Sequence, residues 1–247
     1  LLYCATEEVK IYNKEILSKF KKKFSIYHGL IFNITDQTIF KSVKANNVNF
    51  FLFSKLEIDQ FKKRFSGSNL NFFSPGIGRF QKDWLKYLYK FSLDENEIKR
   101  FGEYILIISR PISEYLPYKR KLQALKNIKK LAFEVLNLRI VVKPHPKNND
   151  IKIYKNVFED QELNKKWFLS NSHPHVLSKN SSLVITFFTS LVIDMAYFNI
   201  PTVEYLNIDN IKSYDNSGSL RDAEKNPVLI YRYQKLVPGV KNFEELN

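Results

Sequence analysis

Tyr104-Ile105-Leu106-Ile107-Ile108-Ser109 is the clearest strand in the chain: five residues of aromatic and β-branched or aliphatic character, closed by a serine. Downstream, the spacing of Leu122, Leu125, Ile128, Leu131 and Ala132 predicts a helix over Tyr118 to Leu136. Arg139 to Val142 is again a strand, ending in Lys143-Pro144-His145-Pro146. Strand, long amphipathic helix and strand form a βαβ unit, so the sheet is expected to be parallel and the class α/β. The scheme continues through a strand at Ser182 to Thr186, the turn Phe187-Phe188-Thr189-Ser190, a buried helix at Leu191 to Phe198 and a strand at Pro201 to Tyr205. Upstream, strands are predicted at Leu1 to Cys4, Phe24 to Tyr27, Asn49 to Phe53 and Asn71 to Phe73. Helices are predicted at Glu7 to Lys23, Lys55 to Phe65 and Asp83 to Arg100. The sequence has no internal repeat. A boundary near residues 97–103 divides it into two α/β lobes, 1–100 and 101–247, with a cleft expected between them.

Composition narrows the class further. The 247 residues carry 39 Lys+Arg against 25 Asp+Glu, a formal charge of +14, with 44% hydrophobic and 15% aromatic residues. That excludes disorder and leaves ample material for a core. One cysteine, Cys4, excludes a disulfide framework and any multi-thiolate metal site. No apolar run reaches the ~18 residues of a membrane span. The opening Leu1-Leu2-Tyr3-Cys4 is followed by Glu7 and Glu8, which is not a signal-peptide pattern. The chain opens without Met and inside a strand, which reads as the later part of a longer protein. Lysine clusters at 19–23, 62–64 and 119–121 read first as solvated helix faces. The excess charge also suits phosphates, acidic polymers or an anionic membrane surface. Nucleic acid has no support from zinc-finger spacing or an RNP-type aromatic motif.

The polar residues that matter fall at strand ends. His28 and His145, two of four histidines, each follow closely on an apolar strand. In open α/β sheets ligands bind outside the carboxyl ends of the strands. Gly29 permits close backbone approach, and the prolines around His145 keep that loop extended. A histidine that merely caps a strand is the plainer reading of either residue alone. Thr189-Ser190 lies between a strand and a helix, where hydroxyls and unpaired N–H groups suit a phosphate, or make an ordinary N-cap. Glu204 ends the next strand, where a carboxylate can accept from ribose hydroxyls or simply face solvent. Gly76 and Gly78, in Pro75-Gly76-Ile77-Gly78-Arg79, read as an interlobe turn lining the cleft. No phosphate-loop, dinucleotide-fingerprint or nucleophile-elbow motif occurs, and no Asp-x-Asp for metal-dependent nucleotide chemistry. His173-Pro174-His175 lacks the further ligands a metal needs, so no metal is expected.

The order of these motifs resembles GT-B-fold glycosyltransferases of bacterial surface polysaccharides. Ile26-Tyr27-His28-Gly29, Phe53-Ser54-Lys55 and Pro75-Gly76 are similar to CDP-glycerol glycerophosphotransferases. His145-Pro146 and Thr189-Ser190 resemble the corresponding motifs of bacterial sialyltransferases and capsule Kdo transferases, which use CMP-sugars. The resemblance implies two Rossmann-like lobes, an acceptor-side lobe at 1–100 that is short for the fold and a nucleotide-donor lobe at 101–247. It implies that His28 is the general base toward the acceptor hydroxyl. It also implies that Lys143, His145, Pro146, Thr189 and Ser190 hold the donor phosphate and stabilise the leaving nucleotide, with Glu204 near the ribose. The acidic-acidic-Gly base motif of the sialyltransferase branch has no match, and neither does the Asp-Tyr-Ser-Ser-like run of the other branch.

The expected activity is therefore metal-independent transfer of a sialic acid- or Kdo-like sugar from a cytidine-nucleotide donor to an oligo- or polysaccharide or lipid-linked acceptor. No cofactor is expected, and the basic surface together with the resemblance suits a cytoplasmic enzyme, peripheral at the inner face of the membrane. The alternatives are a CDP-glycerol-type polyol-phosphate transferase, a UDP-sugar 2-epimerase, which shares the fold, and a non-catalytic basic anion-binding module.

Overall fold

The computed structural model describes residues 2–4, 23–26, 48–64, 70–91, 99–146, 150–209 and 228–247. The chain divides into two compact units, Leu1–Leu85 and Lys86–Asn247. The helix expected at Glu7 to Lys23, together with His28 and Gly29, lies outside the described residues apart from Lys23.

The first unit carries a four-stranded parallel sheet, β1 (Leu2–Cys4), β2 (Lys23–Ile26), β3 (Val48–Phe51) and β4 (Leu70–Phe73), paired in that order. Its register sets Phe50 beside Phe72 and Phe51 beside Phe73, and both pairs stack with ring centroids 5.8 and 5.6 Å apart. Helix α1 (Lys55–Arg64) follows β3. Its start is a capping box: Glu57 N–H donates to Ser54 Oγ at 3.2 Å, while Glu57 Oε2 accepts from Phe53 N–H at 2.7 Å and Ser54 N–H at 3.1 Å. The Phe53-Ser54-Lys55 motif thus has a local structural job. After β4, Gly76 takes φ 83°, a left-handed conformation that glycine adopts without a Cβ penalty, and Gly78 opens a single 3-10 turn, Gly78–Phe80. Helix α2 (Lys82–Phe91) contains the division between the units.

The second unit is built on β5 (Tyr104–Ile108), β6 (Arg139–Lys143), β7 (Trp167–Leu169), β8 (Leu183–Thr186), β9 (Thr202–Tyr205) and β10 (Gly239–Val240). All pair in parallel, in the order β10-β9-β8-β5-β6-β7. Every residue of β5 is buried. Period-two alternation sends Ile105 and Ile107 into one apolar cluster, with Ile140, Val142 and Ile185. Tyr104, Leu106 and Ile108 enter a second cluster with Val141 and Val184. Both faces are covered, which a parallel sheet requires.

Helix α3 (Tyr118–Lys130) covers the first cluster with Ala124, Leu125 and Ile128. The sequence pattern extends this helix to Leu136, but its last turn is π-helical, Leu131–Val135, with Leu136 N–H donating to Leu131 O at 2.9 Å. The wider turn lets Leu131 and Ala132 both stay buried, and Asn137 at φ 51° then reverses the chain into β6. Between the later strands lie α4 (Ile151–Phe158), α5 (Pro174–Lys179), α6 (Leu191–Tyr197) and α7 (Ile230–Tyr233), and α8 (Phe243–Leu246) follows β10. Among the described residues no helix is long and apolar enough to cross a membrane.

Candidate nucleotide site

Numbered within their own unit, the strands of the second sheet run 3-2-1-4-5-6, and the order reverses between β5 and β8. At such a reversal the loops leaving the two strands turn to opposite faces and open a crevice at their carboxyl ends. The register fixes what meets there. Ile108 pairs with Lys143 on one side and Thr186 on the other, and Thr186 pairs with Glu204. Lys143, Ile108, Thr186 and Glu204 therefore form one row across the sheet. The residues that follow them, His145, Arg110 and Phe188 to Ser190, emerge from the same end.

Arg110 was not singled out by the sequence, where it is one basic residue among 39. Its Nη1 donates to Phe188 O, joining the loops on either side of the reversal. The guanidinium lies 5.2 Å from the Tyr115 ring and 5.3 Å from the Phe188 ring. Phe188 itself has φ 65°, an uncommon left-handed conformation for a large side chain, and it sits in the loop between β8 and α6. A half-buried cation held by aromatic faces at a strand end is a ready partner for an anion.

Lys143 is half-buried at the end of β6, and burial pushes its pKa down. Its backbone oxygen accepts from Ser109 N–H at 3.0 Å. His145 is half-buried and Pro146 exposed in the loop beyond. Thr189 and Ser190 are half-buried. Thr189 Oγ1 accepts weakly from Leu191 N–H at 3.4 Å, and Ser190 caps α6 without a side-chain bond.

Glu204 is 0% exposed. Its Oε2 accepts from Arg232 Nε at 2.8 Å, and Arg232 Nη2 also reaches the backbone oxygens of Glu204 and Leu206 at 2.8 and 2.9 Å. Burial drives the Glu204 pKa up, and the charges of Arg232 and Arg110 pull it back. Oε1 is buried with no hydrogen-bond partner among the described residues.

Lys121 corrects the reading of 119–121 as a solvated cluster. It is 0% exposed, and its Nζ donates to Arg110 O at 2.7 Å and to Asp150 Oδ2 at 2.8 Å. Arg120, its neighbour, donates to the backbone oxygens of Asn207 and Asp209 at 2.6 and 2.8 Å. Lys121 shares its face with Ala124, Leu125 and Ile128, a spacing of three, four and seven, which was the signal available in the sequence. His173 and His175 also find local roles: His173 caps α5, and His175 Nε2 pairs with Asp194 Oδ1 at 2.8 Å, both side chains fully buried. Among the described residues no group of three or more His, Cys, Asp or Glu could hold a metal ion.

No protein-family model matches this sequence, and no curated protein matches it. Solved structures do. UDP-GlcNAc 2-epimerase from Methanocaldococcus jannaschii, in complex with UDP-GlcNAc and UDP, aligns with a TM-score of 0.58 at 16% identity. The alignment covers 98% of this chain and 71% of that one. A second structure of the same enzyme aligns at 14% identity with a TM-score of 0.47, covering 98% and 72%. The likeness is one of fold. It is GT-B-like, as the motif resemblance implies, with the parallel α/β sheets that the sequence pattern implies.

Proposed function

We propose that this chain is a nucleotide-sugar enzyme whose second unit binds the nucleotide at the β5/β8 reversal. The observation that carries the reading is the Arg110 bridge to Phe188 O, which sets a cation at the point of the sheet where phosphates are bound in this class of fold. Arg110, Lys143 and His145, with the hydroxyls of Thr189 and Ser190, take the phosphate, Pro146 shapes the His145 loop, and Glu204, itself fully buried, stands behind the ribose side and holds Arg232. Developing negative charge on a departing phosphate would be stabilised by these fixed donors without a metal or other cofactor.

Two chemistries fit that site. The fold neighbour binds UDP-GlcNAc, and this favours a UDP-sugar substrate and 2-epimerisation. The His145-Pro146 and Thr189-Ser190 motifs favour the second reading, transfer from a cytidine-activated sugar to a glycan acceptor. In that reading 1–100 is the acceptor lobe, with His28 as base and Gly29, Gly76 and Gly78 lining the approach, and 101–247 is the donor lobe. The net charge of +14 then suits a peripheral enzyme at an anionic membrane surface, working on lipid-linked glycans.

Thermal-shift titration with UDP, UMP, CMP, CDP and GDP, with and without EDTA, separates these readings, because a ligand of the native state raises apparent stability by RT ln(1 + [L]/Kd). A UDP preference supports the epimerase chemistry and an EDTA-insensitive CMP or CDP preference the transferase. The absence of any shift overturns the nucleotide site and leaves a basic anion-binding module.

A further inference from the structure

We propose that Lys121 is a positioning residue for the nucleotide site, fixing the Arg110 backbone through one buried ammonium anchored on Asp150. This rests on the phosphate-binding reading above. An ammonium has three donors and no acceptor. Two directions are accounted for by Arg110 O and Asp150 Oδ2, at 2.7 and 2.8 Å, and the charge lies 5.2 Å from the Tyr154 ring centroid. The same tyrosine hydroxyl shares a hydrogen bond with Ser109 Oγ, and Ser109 N–H holds Lys143 O. The segment Ser109-Arg110 is thereby gripped from both sides. Lys143, two residues before His145, is tied to the same segment through Ser109 N–H, and Asp150 is tied to it through Lys121.

Two features set this apart from ordinary packing. A methionine or leucine at 121 would fill the α3 core face without desolvating a charge, so the lysine is costly unless its geometry is used. Asp150 occupies the N-cap position of α4, yet its side chain makes no capping bond. Its Oδ2 meets Lys121 instead, although capping is the usual use of an aspartate there. Both partners give up a cheaper local arrangement to hold the segment that carries Arg110.

A double-mutant cycle tests this, with calorimetric binding of whichever of UDP or CMP the unmodified protein binds more tightly. Lys121→Met and Arg110→Met are each expected to weaken binding at least tenfold. If Lys121 acts through Arg110, the double variant binds within about twofold of Arg110→Met alone, a strong non-additivity. Losses that multiply, or an unchanged affinity in folded Lys121→Met, overturn the positioning role while leaving the nucleotide site intact. Should Lys121→Met fail to fold, the cycle is run with Asp150→Asn, for which weakening that disappears in the Arg110→Met background supports the role and unchanged or multiplying effects overturn it. An unmodified protein that binds neither nucleotide removes both the site and the positioning role.

Discussion

Arg232 Nε meets Glu204 Oε2 at 2.8 Å, while a Cβ on Gly239 would stand 2.3 Å from that same nitrogen. The glycine of β10 is thus the space into which the guanidinium fits, opposite Glu204 in the strand register. The carboxylate it holds has a raised pKa in the folded chain, chiefly from burial. A folded chain that binds this proton more readily than the unfolded one gains stability below the ordinary value of 4.5. That contribution is lost as pH rises through the folded value. The stability difference between the unmodified protein and Glu204→Gln, from urea unfolding at pH 4 to 8, is therefore expected to shift against the unmodified protein as pH rises. A difference that is flat, or that grows with pH, would show that Arg232 overrides burial.

Gly239→Ala is expected to push Arg232 out of its place and leave a buried carboxylate unpaired. Breaking a buried pair from one side costs about 3–5 kcal/mol, somewhat less here because Arg232 is 24% exposed. Chemical denaturation of Gly239→Ala beside Arg232→Met checks this, since both variants should lose similar stability by the same route.

At the proposed phosphate site, Arg110→Met removes a charge-assisted donor of the kind worth about 1.5–3 kcal/mol. Nucleotide affinity should fall roughly 10- to 150-fold at a tenfold per ~1.4 kcal/mol. The salt dependence of binding should become shallower, because one cation no longer faces the phosphate. Titration calorimetry at two ionic strengths reads both effects. An Arg110→Met protein with unaltered affinity would remove Arg110 from the site.

His175 and Asp194 tie α5 to α6 inside the second unit, with no side-chain exposure on either partner. Asp194→Ala is expected to destabilise that unit by about 3–5 kcal/mol. His175→Ala should be comparable, and the double variant should cost much less than the sum. Urea unfolding of the three variants is the check.

In the first unit the capping box makes a smaller and separate prediction. Ser54→Ala is expected to cost about 1 kcal/mol, the usual value of an N-cap hydroxyl. Glu57→Gln retains the hydrogen-bonding shape and should cost less than Glu57→Ala. Hydrogen exchange of the α1 amides reads the effect locally.

Periodicity made the parallel α/β organisation legible. The β5 run, the α3 spacing and the strand before His145 each have long or repeated apolar signals, and each lies within a few residues of its expected place. Two of the shortest strands were silent. β7 spans three residues and β10 two, too few for alternation to register. The candidate site was legible only where a polar residue interrupts an apolar run, as at His145 and Thr189. Arg110 is recognisable through the Phe188 carbonyl, 78 residues away in sequence, and Lys121 through Asp150, 29 away. Long-range partners of this kind leave no mark in local spacing. Lys121 had one, a charge on an apolar helix face, and its basic neighbours at 119 and 120 masked it. For Glu204 the sequence showed a strand-end carboxylate but not the arginine 28 residues on that claims one of its oxygens.

The second sheet tapers. Five residues in each of β5 and β6 give way to three in β7 at one edge and two in β10 at the other. A sheet edge is a template for another chain in proportion to the length of unpaired backbone it offers, and these margins offer very little. The strands that end at Ile108, Lys143, Thr186 and Tyr205 all lie inside those margins. Strand addition from a neighbouring molecule, the usual beginning of edge-to-edge aggregation, would meet only the two stubs and leave the proposed binding end of the sheet in register.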